Sequence, residues 1–261
     1  MKKEVAYQDL KQRILREELA PGQWLVERDV SRDYEISRTP VREILRMLVT
    51  DGIVTLEPSK GYLVRKLNLE EIVEIFQARE AIEGTAARLS CIKGDEKFFS
   101  RVTELGEQFE QLDIKKDSTQ GVVIGNELHD AIIEAANNKL FSEFYQKLRN
   151  LLTLIRNITK KSVKIEMNSR NGHLAITKAV QERNEIKSEQ CMREHLSTTC
   201  SSLVQSYLIN QTGFTDNQAI WTSKRLMASH NSKRSKKSEV KGRGTAPALA
   251  ENRLDQLDHA S

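Results

Sequence analysis

The sequence predicts a mainly α-helical chain: an N-terminal winged helix-turn-helix with a small β-hairpin wing, then an all-α helical bundle, then a disordered C-terminal tail. Three observations predict it. Residues 35–66 carry one strong helical stripe followed by two short strand-like runs. From about residue 69 to 208 the apolar residues keep helical spacing and no credible strand interrupts them. Past Thr212 the periodicity fades, and residues 229–246 fill with Ser, Lys and Arg, the composition of a chain that cannot bury a core. The expected boundaries are 1–66, 67–212 and 213–261.

The first helix is predicted over about Tyr7–Glu18, with Leu10, Ile14 and Leu15 inward, and Ala20-Pro21-Gly22 turns the chain after it. Val26-Glu27-Arg28-Asp29-Val30 opens a short second helix. The third spans Glu35–Gly52, where Val41, Ile44, Leu45 and Leu48 recur at i, i+3, i+4 and i+7 and so share one face. Arg38, Arg42 and Arg46 recur every four residues on another face, beside Ser37 and Thr39. Ser37 or Thr39 can cap this helix, and Pro40 is tolerated in the first turn because its missing N–H has no partner there anyway. Asp51-Gly52 closes it. Ile53–Leu56 and Tyr62–Val64 then read as strands joined by Glu57-Pro58-Ser59-Lys60-Gly61, and a hairpin after a helix-turn-helix is a wing. Asn68 with Glu71 three positions on is a capping signal that starts the bundle. Within it, Leu69-Ile72-Val73-Phe76, Val102-Leu105-Phe109-Leu112 and Leu148-Leu151-Leu152-Ile155 are helical stripes. Trp221, Leu226 and Met227 allow one last short helix before the tail.

Arginine can grip guanine O6 and N7 with two hydrogen bonds, while hydroxyls and backbone N–H groups hold phosphates, so the third helix suits the DNA major groove. Three arginines alone read more readily as a solvated basic face; the surrounding residues reverse that reading. LAPGQWLVERDVSRDYEISRTPVREILRMLVTDGIVTLEPSKGYLV resembles the winged-helix domain of the GntR family of bacterial transcription regulators, and the resemblance covers most of residues 7–66. It implies DNA contacts at Arg28, Ser37, Arg38, Thr39 and Arg42 and, at the wing tip, Lys60 and Gly61. FQAREAIEGTAARLS, NELHDAIIEAANN and two later histidines resemble the effector-binding domain of the FadR subfamily, called FCD. That implies a double-stranded palindromic operator, a homodimer and a small carboxylate effector.

Three histidines in the expected bundle all lie on apolar helix faces: His129 with Ile132, Ile133 and Ala136; His173 with Ile176 and Val180; His195 with Cys191 and Met192. One such histidine reads as a core residue; three suggest a site. The FCD resemblance implies a divalent metal, zinc or nickel, on His129, His173 and His195, with an Asp four residues before the first. Here that position is Gly125, so the carboxylate ligand is missing. Asn126 lies on the same side and offers an amide oxygen. Three neutral imidazoles still suit zinc or nickel and leave positions open for water or a ligand carboxylate. Arg79 near an apolar stripe needs an anion, either Glu83 one turn on or the effector.

The formal net charge is +4, and residues 215–261 hold nine Lys or Arg against five Asp or Glu, so the surplus sits wholly in the tail. The basic balance therefore carries no argument about the folded part, and the tail either adds to DNA affinity by its charge or is merely solvated. No apolar run reaches membrane-spanning length, and MKKEVAYQDLKQR lacks a secretory h-region, so a soluble, cytoplasmic protein is expected. Cys91, Cys191 and Cys200 lack metal-finger spacing and are expected as free, buried thiols. A metal-dependent hydrolase is the competing class, but no H-E-x-x-H or similar helix motif supplies a general base, so no enzyme is expected. A constitutive regulator with a decayed sensor is the other alternative.

Overall fold

The computed structural model describes residues 2–159 and 163–227. α1 (Lys2–Leu15) starts earlier than predicted: Ala6, Leu10 and Ile14 repeat every four residues against the core, and Lys3 pairs with Glu43 at 2.7 Å. It also stops earlier, with Glu17 turning the chain at φ 60°. After β1 (Trp24–Leu25) come α2 (Glu27–Asp33) and α3 (Arg38–Thr50). Val41, Ile44, Leu45 and Leu48 of α3 are each 0% exposed, as their spacing requires. Asp51, which caps α3, accepts hydrogen bonds from Tyr7 Oη and, at 2.9 Å, from Lys11 Nζ, so α1 and α3 are tied as one unit.

β2 (Val54–Glu57) and β3 (Gly61–Val64) form the predicted antiparallel hairpin, with Val54 opposite Val64 and Glu57 opposite Gly61. β1 adds on the other edge of β3, Leu25 facing Tyr62, so the wing is a three-stranded sheet in the order β1-β3-β2. Pro58 precedes Ser59 at φ 65°, the pattern of a type II turn, which pushes Lys60 out at the wing tip.

The bundle comprises α4 (Leu69–Lys93), α5 (Glu96–Gln111), α6 (Ser118–Ala135), α7 (Lys139–Thr159), α8 (Val163–Gln181) and α9 (Glu185–Thr212). α4 begins with the predicted capping box, Asn68 and Glu71 bonding each other's backbone N–H. It packs chiefly on α9 and also meets α6 and α7, while α8 closes the bundle against α9 and α5.

Side-chain contacts join the halves around the Arg65–Asn68 joint. Arg65 donates to the Gly52 carbonyl at 3.2 Å and to Glu71 at 2.8 Å, and Leu67 is buried. From α7, Asn157 Nδ2 donates to the Leu15 carbonyl at 2.9 Å.

The last short helix that Trp221, Leu226 and Met227 allow is present, within the range 213–261 expected as the tail. Residues 216–227 form a helix, α10, whose Ala219 and Ser223 are fully buried and whose Met227 Sδ lies 3.7 Å from Cys200 Sγ. Ala219, Ser223 and Met227 recur every four residues, which gives the helix a narrow seam for α9. Residues 228–261, and with them the basic stretch, lie outside the described residues. All three cysteines are free, as expected, but only Cys200 is fully buried.

Candidate functional site

Arg28, Ser37, Arg38, Thr39 and Lys60 are exposed, and Arg28 and Arg38 share one surface concavity with Lys60 and Gly61. α2, the first turn of α3 and the wing tip therefore present their cations together. Ser37 is the N-cap of α3 but its side chain makes no capping hydrogen bond, so the predicted cap role goes unused. The N–H groups of that first turn have no partner within the helix and, with the helix dipole, favour an anion. Arg42 is exposed but engaged: its Nε lies 3.0 and 2.9 Å from the two carboxylate oxygens of Glu27 on α2. Nothing in the local pattern announces this pair, because only the crossing of α2 and α3 brings residues 27 and 42 together.

Deep in the bundle, His129 on α6, His173 on α8 and His195 on α9 converge, 4%, 4% and 6% exposed. One candidate donor nitrogen from each ring can be chosen so that all lie within 4.8 Å of one another. His129 Nε2 and His173 Nε2 are 3.3 Å apart. Two nitrogens each about 2.0–2.1 Å from a tetrahedral zinc would stand roughly 3.4 Å apart, so this edge already fits. The Nδ1 atoms of His173 and His195 are buried without a hydrogen-bond partner, which is costly unless something binds there. His129 Nδ1 lies 2.6 Å from Glu83 Oε2, so the carboxylate faces this ring nitrogen. A carboxylate behind a histidine leaves the other nitrogen to face a metal.

Arg79 sits behind Glu83 and holds both its oxygens, at 2.6 and 3.2 Å, with its guanidinium over the Phe76 ring. Of the two partners the sequence allowed Arg79, the structure brings it Glu83. Burial pushes the Glu83 carboxyl up, but Arg79 and His129 together more than offset this and hold it well below the usual carboxylate range. Asn126 faces α7, where it accepts from Arg156 Nη1 at 3.1 Å.

Burial, then the neighbouring histidines and arginines, lowers His173 and His195 well below the ordinary histidine value of 6.5. Both rings are neutral at pH 7, the form that binds a metal. Below about pH 6.5 the unfolded chain protonates these rings before the folded chain does, so stability is full above that pH and falls as the pH drops beneath it. Each ring contributes a slope of at most about 1.4 kcal/mol per pH unit. Urea unfolding with a chelator present is expected to give a lower free energy at about pH 5.5 than at about pH 7.5. Equal values would mean the rings take protons in the folded state.

Two glycines, Gly125 and Gly172, shape the cluster by the space they leave. A Cβ on Gly125 would lie 2.6 Å from His173 Cε1, and one on Gly172 would lie 2.4 Å from His195 Nδ1. Each ring rests on a bare stretch of helix, and His173 is held from another side by stacking on Phe109, centroids 4.8 Å apart. Gly125 is thus more than a lost ligand: His173 occupies the room its side chain would need. Gly172 gave no signal in sequence, since its role depends on which ring lies over it.

Two family descriptions match the chain: "Bacterial regulatory proteins, gntR family" over residues 2–64 and "FCD domain" over residues 74–198. An uncharacterized HTH-type transcriptional regulator from the TAR-I ttuE-ttuC' intergenic region of Agrobacterium vitis is 31% identical over 139 residues, 53% of this chain and 75% of that protein. The HTH-type transcriptional repressor GlaR of Escherichia coli is 25% identical over 208 residues, 77% of this chain and 94% of the relative. Of solved structures, Escherichia coli McbR/YncC superposes with a TM-score of 0.64 at 20% identity, over 79% of this chain and 99% of that one, which is a likeness of fold.

Proposed function

The chain belongs to the gntR family of bacterial regulatory proteins and carries an FCD domain, and from that premise we propose a ligand-responsive transcription regulator that binds a palindromic operator as a homodimer. Residues 1–66 form the DNA-binding domain and 67–212 the sensing and dimerising domain, to which α10 adds. Among the described residues no helix is long and apolar enough to cross a membrane; a cytoplasmic place follows from the operator as target.

Arg38 and Arg42 are the base readers, with Arg28, Ser37, Thr39, Lys60 and Gly61 on the backbone. Arg42 reaches its base by exchanging Glu27 for guanine; a surface pair is worth about 0–1 kcal/mol, so the exchange is cheap. One recognition helix covers too few base pairs for genomic specificity, and a two-fold protein matches a two-fold site. On an operator obtained by selection, Arg38→Ala or Arg42→Ala is expected to weaken binding roughly tenfold or more, because a bidentate base contact is worth about 1–3 kcal/mol. Sedimentation of the complex is expected to give two chains per duplex. Unchanged affinity in both variants, or one chain per duplex, would sink the corresponding half of the proposal.

The observation that carries the sensor is the convergence of three buried histidines with unpartnered nitrogens. A divalent metal, zinc or nickel, is held by His129, His173 and His195, and it supplies a Lewis-acid point for a carboxylate oxygen. Glu83 orients His129, Arg79 fixes Glu83 and adds positive field, and Asn126 borders the site. A small organic acid is the ligand class that suits this charge. It shifts operator affinity by a coupling of about 1–3 kcal/mol, and by linkage the operator changes ligand affinity by the same factor. Metal analysis of the purified chain before and after chelation separates this from a regulator with a decayed sensor: no metal uptake favours the latter. A hydrolase is disfavoured because the histidines are buried rather than lining an open cleft.

A further inference from the structure

α7 meets both halves of the molecule through consecutive residues. Arg156 Nη1 donates to Asn126, three residues before His129 on α6. The next residue, Asn157, donates to the carbonyl of Leu15, the last residue of α1. The last four carbonyls of a helix have no partner within it, and α1 takes one of its caps from the other domain. A second contact lies six residues earlier on α7: Leu151 stands 3.6 Å from where a Cβ on Gly52 would be, just past the end of α3. Because Tyr7 and Lys11 bind α1 to Asp51, both contacts grip the unit that carries Arg38 and Arg42.

We propose that α7 is the lever between the histidine cluster and the DNA-reading domain, with Arg156–Asn126 as its ligand-side contact and Asn157–Leu15 as its reading-side contact. The lever rests on the reading above that the cluster binds a metal and its ligand. Residues 65–68 are the covalent joint and set the distance between the domains; α7 sets their angle. An α-helix moves as a rod, since each turn is bonded to the next. A shift of the turn holding Arg156 therefore moves Asn157 with it, and the cap on α1 is strained or relieved.

Hydrogen exchange of the full chain tests this, read at residues 12–19 with zinc as the probe. In the parent chain zinc is expected to change exchange in that turn by roughly threefold or more, since a cap formed or lost alters local opening. Asn157→Asp keeps the shape but loses the donor; it is expected to bind zinc within about twofold of the parent and to show no such change. Asn157→Ala repeats the test without the added charge. A second arm needs no metal: Asn126→Ala cuts the ligand-side contact and is expected to alter exchange at residues 12–19, and adding Asn157→Asp is expected to remove that alteration. A response to either perturbation that survives both Asn157 variants overturns the lever. So does the absence of any response at residues 12–19 in chains that keep Asn157. If zinc fails to bind the parent, the metal reading falls, while the Asn126 arm still decides the lever.

Discussion

Glu83→Ala is expected to lower the free energy of unfolding by about 3–5 kcal/mol, because it leaves the Arg79 guanidinium buried without its counter-charge. The Arg79 and Glu83 side chains are 4% and 0% exposed, so water cannot replace the lost partner without opening the bundle. The same change removes the carboxylate that orients His129. Replacing both members, Arg79→Met with Glu83→Leu, is expected to cost clearly less than the single change, since no charge is then stranded. Urea unfolding followed by circular dichroism, with a chelator present to exclude metal effects, measures both. A single-variant cost under about 1 kcal/mol would mean that the pair is solvated, and the account of Glu83 as an anchor would fail.

The double variant His173→Ala, His195→Ala is expected to reduce zinc affinity by at least about a thousandfold, because a site left with one imidazole has lost most of its ligand field. Operator affinity without metal is expected to stay within about twofold of the parent, since the rings lie in the bundle and Arg38 and Arg42 on the reading helix. Any change of operator affinity caused by zinc or by a carboxylate should vanish. Competition against a chromophoric chelator gives the first quantity and operator anisotropy the second. A double variant that responds in full would make the histidines core residues and remove the sensor mechanism.

Much of this architecture was legible because it rests on local spacing. The stripe Val41, Ile44, Leu45, Leu48 dictated α3, the Asn68–Glu71 box dictated where α4 begins, and three histidines on apolar faces were bound to point into one interior. What escaped depends on partners distant in the chain. β1 is two residues long and exists only because β3 offers an edge, so no periodicity announces it. The bond from Asn157 to Leu15 spans 142 positions. Gly125 was legible as a departure from a motif but not as the space for His173, since an absent side chain has meaning only once its neighbour is known. α10 itself was legible from Trp221, Leu226 and Met227, but its buried seam of Ala219 and Ser223 was not, since both side chains are too small to draw a visible stripe.

The Glu27–Arg42 pair bears on how the protein searches a genome. While Arg42 is folded onto its own glutamate, the reading surface has one fewer cation for phosphates and displaces about one fewer counterion from any stretch of duplex it touches. On the reading proposed for Arg42, the pair is expected to stay closed on random sequence and to open on a cognate guanine, so binding to random sequence is expected to be the shallower in its dependence on ionic strength. A side chain parked at home in this way would let the chain leave wrong addresses quickly without weakening its hold on the right one.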